Sequence, residues 1–217
     1  MSREISSNNF PKFEKLPSIE NTELVRGMEQ HLQYFRAHRR EFIEKAREAW
    51  KLAKSYRGFH VGCSLMAADL EGKNFIYDLY NGANWTPEEK KPPATGANKR
   101  CAERVAVQAA LDGNVKLIPA IITFSKETDI SRLRETHVED TEDDVLHPCL
   151  DCRQMMRALL VLGILRENTI LCNINIKNGK NEKDWKINEM TVKDLLGKPQ
   201  FQNDPEIKPN LEEPGFI

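Results

Sequence analysis

Two short segments carry the residues best able to do chemistry. Cys101-Ala102-Glu103-Arg104 and Pro148-Cys149-Leu150-Asp151-Cys152-Arg153-Gln154 each stand where a helix is expected to begin. Cys149 and Cys152 have CxxC spacing. In the first turn of a helix that spacing points both sulfurs toward one centre, which suits a tetrahedral zinc ion. A third thiolate from Cys101 would leave the fourth position for water, the arrangement of a catalytic rather than a structural zinc. The positive ends of the two helices favour thiolate over thiol. Glu103, two residues after Cys101, is badly placed to join the same metal but can reach the water. That is the position for a carboxylate that shuttles protons.

Alone, CxxC is also compatible with a redox pair, half of a zinc ribbon, or chance. The redox alternative leaves Cys101-Ala102-Glu103 unexplained, and the ribbon needs a second CxxC or a His pair that the chain lacks. His147 is a conceivable fourth ligand, although its spacing suits a surface or supporting histidine better. Cys63 and Cys172 sit among apolar strand residues and read as inert core thiols, and the Met155-Met156 pair reads as core too.

The elements that must position these residues follow from periodicity. From Asn21 to about Lys54 apolar residues recur at helical spacing (Leu24, Met28, Leu32, then Phe42, Ala46, Ala49), and Gly27 should break the run. Val61 to Ala68 and Phe75 to Ala83 read as strands joined by a turn at Leu70-Glu71-Gly72-Lys73. Cys101 to Asp112 reads as a helix with Ala102, Val105, Ala106, Ala109 and Ala110 on one face and Gly113 at its C-terminal end. Leu117 to Phe124 suits a buried strand, Asp151 to Leu162 a helix, Thr169 to Ile176 a strand, and Met190 to Leu196 a last short helix. The order β-β-α-β-α-β after a leading helix is that of an α/β layered sheet. Residues 1 to about 20, the loop Thr86 to Lys99 and the charged stretch 126 to 144 read as irregular. So does the Pro-rich tail from Gly197, which is expected to be an extended arm.

Composition excludes several classes. The chain has 217 residues, with 32 Lys+Arg against 33 Asp+Glu and a formal net charge of -1, which is not the basic excess of a protein that lives on phosphate backbones. The longest apolar stretch, Ala158 to Leu165, is too short to span a bilayer. The N-terminal segment has no apolar core of a signal peptide, so a cytoplasmic setting is expected. Five cysteines in such a chain favour a metal or catalytic role over a disulfide scaffold.

Cys-Ala-Glu-Arg followed by Pro-Cys-x-x-Cys-Arg-Gln resembles the zinc-dependent cytidine deaminase family in its three-cysteine form. The resemblance extends to Tyr56-Arg57-Gly58-Phe59-His60-Val61-Gly62, to Gly82-Ala83-Asn84, and to Glu142 through Leu146. It closes with Met190 through Leu196 followed by Phe201, so it covers about residues 40 to 201. The resemblance implies an α/β/α three-layer sandwich with a central mixed sheet, and a homotetramer. It divides the chain into an arm and helical extension (1–38), a zinc deaminase domain (39–201) and a Pro-rich tail (202–217). It implies that Cys101, Cys149 and Cys152 bind zinc and that Glu103 shuttles the proton. It further implies that Ala102 offers its backbone to the base, Phe59 packs on the pyrimidine ring, and Asn84 binds the sugar. Three thiolates on a dication give a site of charge -1. Arg104 and Arg153 are expected to support it by withdrawing charge from sulfur.

The implied activity is hydrolytic deamination of cytidine, deoxycytidine or a related nucleoside, in the setting of pyrimidine salvage. The partner expected is therefore a small nucleoside-like molecule, with neither nucleic acid nor membrane. The chain departs from the family at Thr86, where a ribose-binding Glu is usual, and in two longer segments, 85–99 and 126–140. Either the first of these supplies Glu88 or Glu89 to the sugar, or the substrate is another amino-substituted heterocycle. A non-catalytic zinc protein of the same fold is the remaining alternative, and Glu103 weighs against it.

Overall fold

The expected helical spacing and its break at Gly27 are both present in the computed structural model, which describes residues 22–54, 59–85, 100–126, 141–142, 145–176, 185–202 and 204. Helix α1 is Thr22–Arg26, and α2 is Met28–Leu52. The apolar spacing puts Met28, Leu32, Phe35, Phe42, Ala46 and Ala49 on the buried face of α2. That helix runs unbroken past residue 38. Leu24, Met28, Leu32 and Phe35 share one core cluster with Met66 and Leu117.

Strand β1 is Gly62–Glu71, β2 is Asn74–Ala83, and β3 is Leu117–Lys126. Two residue pairs, β4 (Thr141–Glu142) and β5 (Val145–Leu146), form a small separate ladder. Strand β6 is Ile170–Ile176, and β7 is Trp185–Thr191. The main sheet has the order β2-β1-β3-β6-β7. Only the β3–β6 pair is parallel, and the other three pairs are antiparallel. The further α-helices among the described residues are α3 (Ala102–Asp112), α4 (Leu150–Val161) and α5 (Val192–Leu196).

Alternation along the strands sorts side chains into two cores. Met66, Ala120, Ile122, Phe124, Cys172 and Ile174 face α1 and α2. Cys63, Leu65, Ile118, Ile121 and Leu171 join Ala102, Ala106, Met155, Met156 and Leu159 of α3 and α4. The fold is therefore a three-layer α/β/α sandwich around a mixed sheet. Strands β3 and β6 are buried on both faces, which is why they read as continuous apolar runs in the sequence. Pro119 cannot donate to a ladder, and the β1–β3 register shifts between Met66 and Ala68, opposite it.

Two glycines set how closely the helices approach the sheet. A Cβ on Gly62 would lie 2.0 Å from the Ala46 carbonyl oxygen, and one on Gly82 would lie 2.1 Å from that of Ala102. Any larger residue at position 82 would push the first turn of α3 off the sheet, and that turn carries Cys101 and Glu103.

Three readings need correction. Trp185–Thr191 is a strand, where only a helix from Met190 onward was expected. It is a half-exposed edge strand, and its polar residues give no apolar run to read. The segment after Gly197 is not an extended arm throughout: Pro199–Phe201 forms a 3-10 turn that buries Phe201 completely. His147 is not at the surface; it is 2% exposed and sits edge-on to the Phe201 ring. The N-terminal arm, residues 86–99, residues 127–140 and the tail beyond Asp204 lie outside the described residues. Trp85 and Arg100, the described residues on either side of 86–99, exchange backbone hydrogen bonds of 2.9 and 3.0 Å. Among the described residues no helix is long and apolar enough to cross a membrane.

His31 fastens α1 and α2 to the sheet. It is fully buried, with Nε2 3.0 Å from the Leu24 carbonyl and Nδ1 3.0 Å from Tyr77 Oη. A carbonyl only accepts, so Nε2 carries the proton and Nδ1 accepts from the phenol. Burial holds the imidazole below its ordinary pKa of 6.5, partly offset by the Leu24 bond. As pH falls, the unfolded chain therefore takes up this proton before the native one does. The stability that neutral His31 confers is complete above the unfolded pKa and is lost as pH drops toward the native value. Between neutral and mildly acidic pH the urea midpoint should fall less in His31→Gln than in wild type. Equal pH slopes would refute this role.

Candidate metal centre

Cys101 and Cys149 are the residues that begin two helices. Each has extended backbone (φ -73, ψ 151 for Cys101; φ -65, ψ 169 for Cys149) and stands immediately before α3 and α4, respectively. Cys152 lies in the first turn of α4 and is fully buried. The Cys101 and Cys149 sulfurs are 3.3 Å apart, those of Cys149 and Cys152 are 3.6 Å apart, and all three lie within 4.8 Å of one another. A disulfide would need about 2.05 Å, and all five cysteines are free thiols. Tetrahedral zinc with Zn–S bonds of about 2.3 Å places sulfurs roughly 3.8 Å apart. The trio therefore fits zinc. It is the one such cluster among the described residues, and His147 is not part of it.

Crowding makes these thiols hard to ionise without a cation. The hydrogen bond with Cys149 is the largest influence pushing the Cys101 thiol well above its ordinary value. Hydrogen bonds to Cys101 and Cys149, then burial, do the same to Cys152. A dication inverts this, because thiolate rather than thiol is the ligand. Binding must release protons, so metal affinity rises with pH. Cys63 lies on β1 under the same layer. Burial, with the charge of Glu103 adding to it, pushes its thiol well up, as an inert core residue requires.

Glu103, in the first turn of α3, is only 6% exposed, and it is the only acidic residue in the buried set among the described residues. A buried carboxylate is costly unless it is compensated, so its position beside Cys101 is informative. Phe59 and Ala102 are buried in the same core cluster as Cys63. Asn84 is buried just past β2, and its side chain is a fastener: Oδ1 accepts from the Val61 N–H at 2.8 Å and Nδ2 donates to the Phe59 carbonyl at 3.2 Å. These bonds hold the segment carrying Phe59 against the end of β2. One amide hydrogen of Asn84 lies beyond that pairing. Thr86, with Glu88 and Glu89, is outside the described residues.

Arg104 pairs with Asp151 at 3.8 Å and so links the first turns of α3 and α4. Arg153 is 2% exposed, and three of its N–H groups are engaged away from sulfur. Nε and Nη2 donate to Asp204 at 2.7 and 3.1 Å, and Nη1 donates to the Pro148 carbonyl at 2.6 Å. Asp204 was not foreseen from the sequence. It lies past Phe201, where the recognised motifs stop, and nothing in its neighbours marks it.

Residues 36–164 match the family model described as the cytidine and deoxycytidylate deaminase zinc-binding region. Similar solved structures include cytidine deaminase from Burkholderia pseudomallei, at 21% identity and TM-score 0.46, covering 73% of this chain and 95% of that one. Cytidine deaminase from Mycobacterium tuberculosis is similar at 18% identity and TM-score 0.43, covering 73% and 93%. That from Mycobacterium leprae is similar at 18% identity and TM-score 0.41, covering 73% and 96%. No curated protein sequence gives a match.

Proposed function

The chain belongs to the cytidine and deoxycytidylate deaminase zinc-binding family. On that premise we propose that it hydrolytically deaminates cytidine, deoxycytidine or a closely related nucleoside, releasing ammonia. The observation that carries the reading is a buried carboxylate, Glu103, two residues from Cys101 in a cluster of three thiols at two helix N-termini. Cys101, Cys149 and Cys152 would hold zinc, which when bound supplies a Lewis acid that makes water nucleophilic at neutral pH.

Glu103 takes a proton from the nucleophilic water and delivers it to ring N3 of the base. It then passes the second water proton to the departing amino group, so that water and substrate leave as ammonia and the keto base. Phe59 packs on the ring, Ala102 offers its backbone to the base, and Asn84 gives its remaining amide hydrogen to a sugar hydroxyl. Arg104 and Arg153 support the thiolates, Arg104 through its bridge between the two helices. The near-zero net charge supports a small-molecule substrate rather than nucleic acid. Free thiols fit a reducing cytoplasm, which cell fractionation would check. The three-cysteine ligand set supports a homotetramer; a monomer in sedimentation would exclude it.

A second reading rests on Thr86. A short neutral hydroxyl cannot accept two sugar hydroxyl hydrogens as a carboxylate does, and sites built for such bonds discriminate strongly. Ammonia release should be measured on cytosine, adenine and guanine nucleosides. Substrates with an altered sugar should outperform cytidine, and Thr86→Glu should raise cytidine turnover. Efficient wild-type deamination of cytidine with no gain from Thr86→Glu would remove this reading. Absence of ammonia from every compound would count against deamination itself.

A further inference from the structure

We propose that residues 199–202 together with Asp204 are a strap that positions the zinc ligands, with Asp204 as its positioning residue; the inference rests on the zinc reading above. Asp204 grips the Arg153 guanidinium with two parallel bonds of 2.7 and 3.1 Å. The same guanidinium donates to the Pro148 carbonyl at 2.6 Å and lies 3.9 Å over the Phe201 ring. One planar cation thus joins the strap to the residue before Cys149, from its own place directly after Cys152. A second tie runs parallel, since Arg157 donates to the Phe201 carbonyl at 3.0 Å and stands 3.8 Å from Asp204. Phe201 anchors the strap, fully buried and packed against His147.

The Arg153 and Asp204 side chains are only 3% and 9% exposed. A buried ion pair contributes little net stability against apolar groups of the same shape, but removing one partner strands the other. Its value here lies in direction. The bidentate fork fixes the guanidinium plane, and the plane fixes the Pro148 carbonyl and hence the backbone turn that aims the Cys149 sulfur. Because Asp204 cancels most of the charge of Arg153, the strap acts on ligand geometry more than on the field at the thiolates.

The test is metal release from the full chain. Zinc-loaded Asp204→Asn should transfer its zinc to a chromophoric chelator about 10- to 100-fold faster than wild type, the range seen when groups supporting a ligand are lost. Cobalt-loaded Asp204→Asn should show a shifted thiolate-to-cobalt charge-transfer band, and Asp204→Glu should recover part of both effects. The rise in melting temperature on adding zinc should shrink, a quantity that a merely structural role would leave unchanged.

Coupling of this kind is reciprocal. In the wild-type chain zinc should therefore slow amide hydrogen exchange at residues 200–202 and at Asp204, a measurement that needs no variant to fold. Unchanged exchange there, or wild-type release rate and cobalt spectrum in Asp204→Asn, overturns the strap and leaves the zinc reading standing. A wild-type chain that holds no zinc fails both.

Discussion

Glu103→Gln should keep its zinc and its fold and lose about 100- to 10,000-fold in kcat, the range expected of a general acid–base. The substitution is isosteric and removes a charge from a position that is 6% exposed. Burial of a carboxylate is unfavourable, so the melting temperature should stay level or rise. A group that acts only as the proton moves contributes to the transition state and little to ground-state binding, so KM should change far less than kcat. Elemental analysis, thermal melting and steady-state kinetics on one preparation separate these effects. Turnover near the wild-type rate would remove Glu103 from the chemistry, whatever the zinc content.

Cys149→Ser should lose both zinc and activity, more completely than Glu103→Gln loses activity. Its sulfur stands between those of Cys101 and Cys152, at 3.3 and 3.6 Å, so its removal leaves only two buried thiols, one fewer than the three protein ligands of a catalytic zinc. Without the cation the site has neither a Lewis acid nor a reason for thiolates to persist. In wild type the same logic fixes the sign of the pH effect. Zinc displaces protons from the thiols, so lowering the pH weakens zinc binding, and a chelator should strip the protein more readily in acid. Substoichiometric zinc in Cys149→Ser is the expected elemental analysis. Full zinc with undiminished turnover would refute the ligand assignment, as would an active, metal-free wild type bearing a Cys149–Cys152 disulfide.

The metal trio was legible in the sequence because each half of it is local. Cys149 and Cys152 share one helical turn, and Cys101 and Glu103 another, so spacing alone aims the groups. The strands that carry these helices were legible for the same reason, since periodicity records which face of each element is apolar. What the sequence left undetermined is long-range pairing. Asp204 meets Arg153 across 51 positions, and His31 meets Tyr77 across 46. Asn84 reaches back 23 positions to the backbone at Val61. No local pattern encodes such partners, because they are chosen by how the layers stack and by which polar groups that stacking buries. Strand β7 is the same case: residues 185–191 form a strand because β6 offers an open edge beside them, and their own alternation is too weak to show it. The sequence by itself determined the ligand types, their helical seats and the layer order. Tertiary packing decided which buried charges would hold the cysteine-bearing turns in place, because only a closed core makes an unpaired guanidinium or imidazole costly enough to fix its partner.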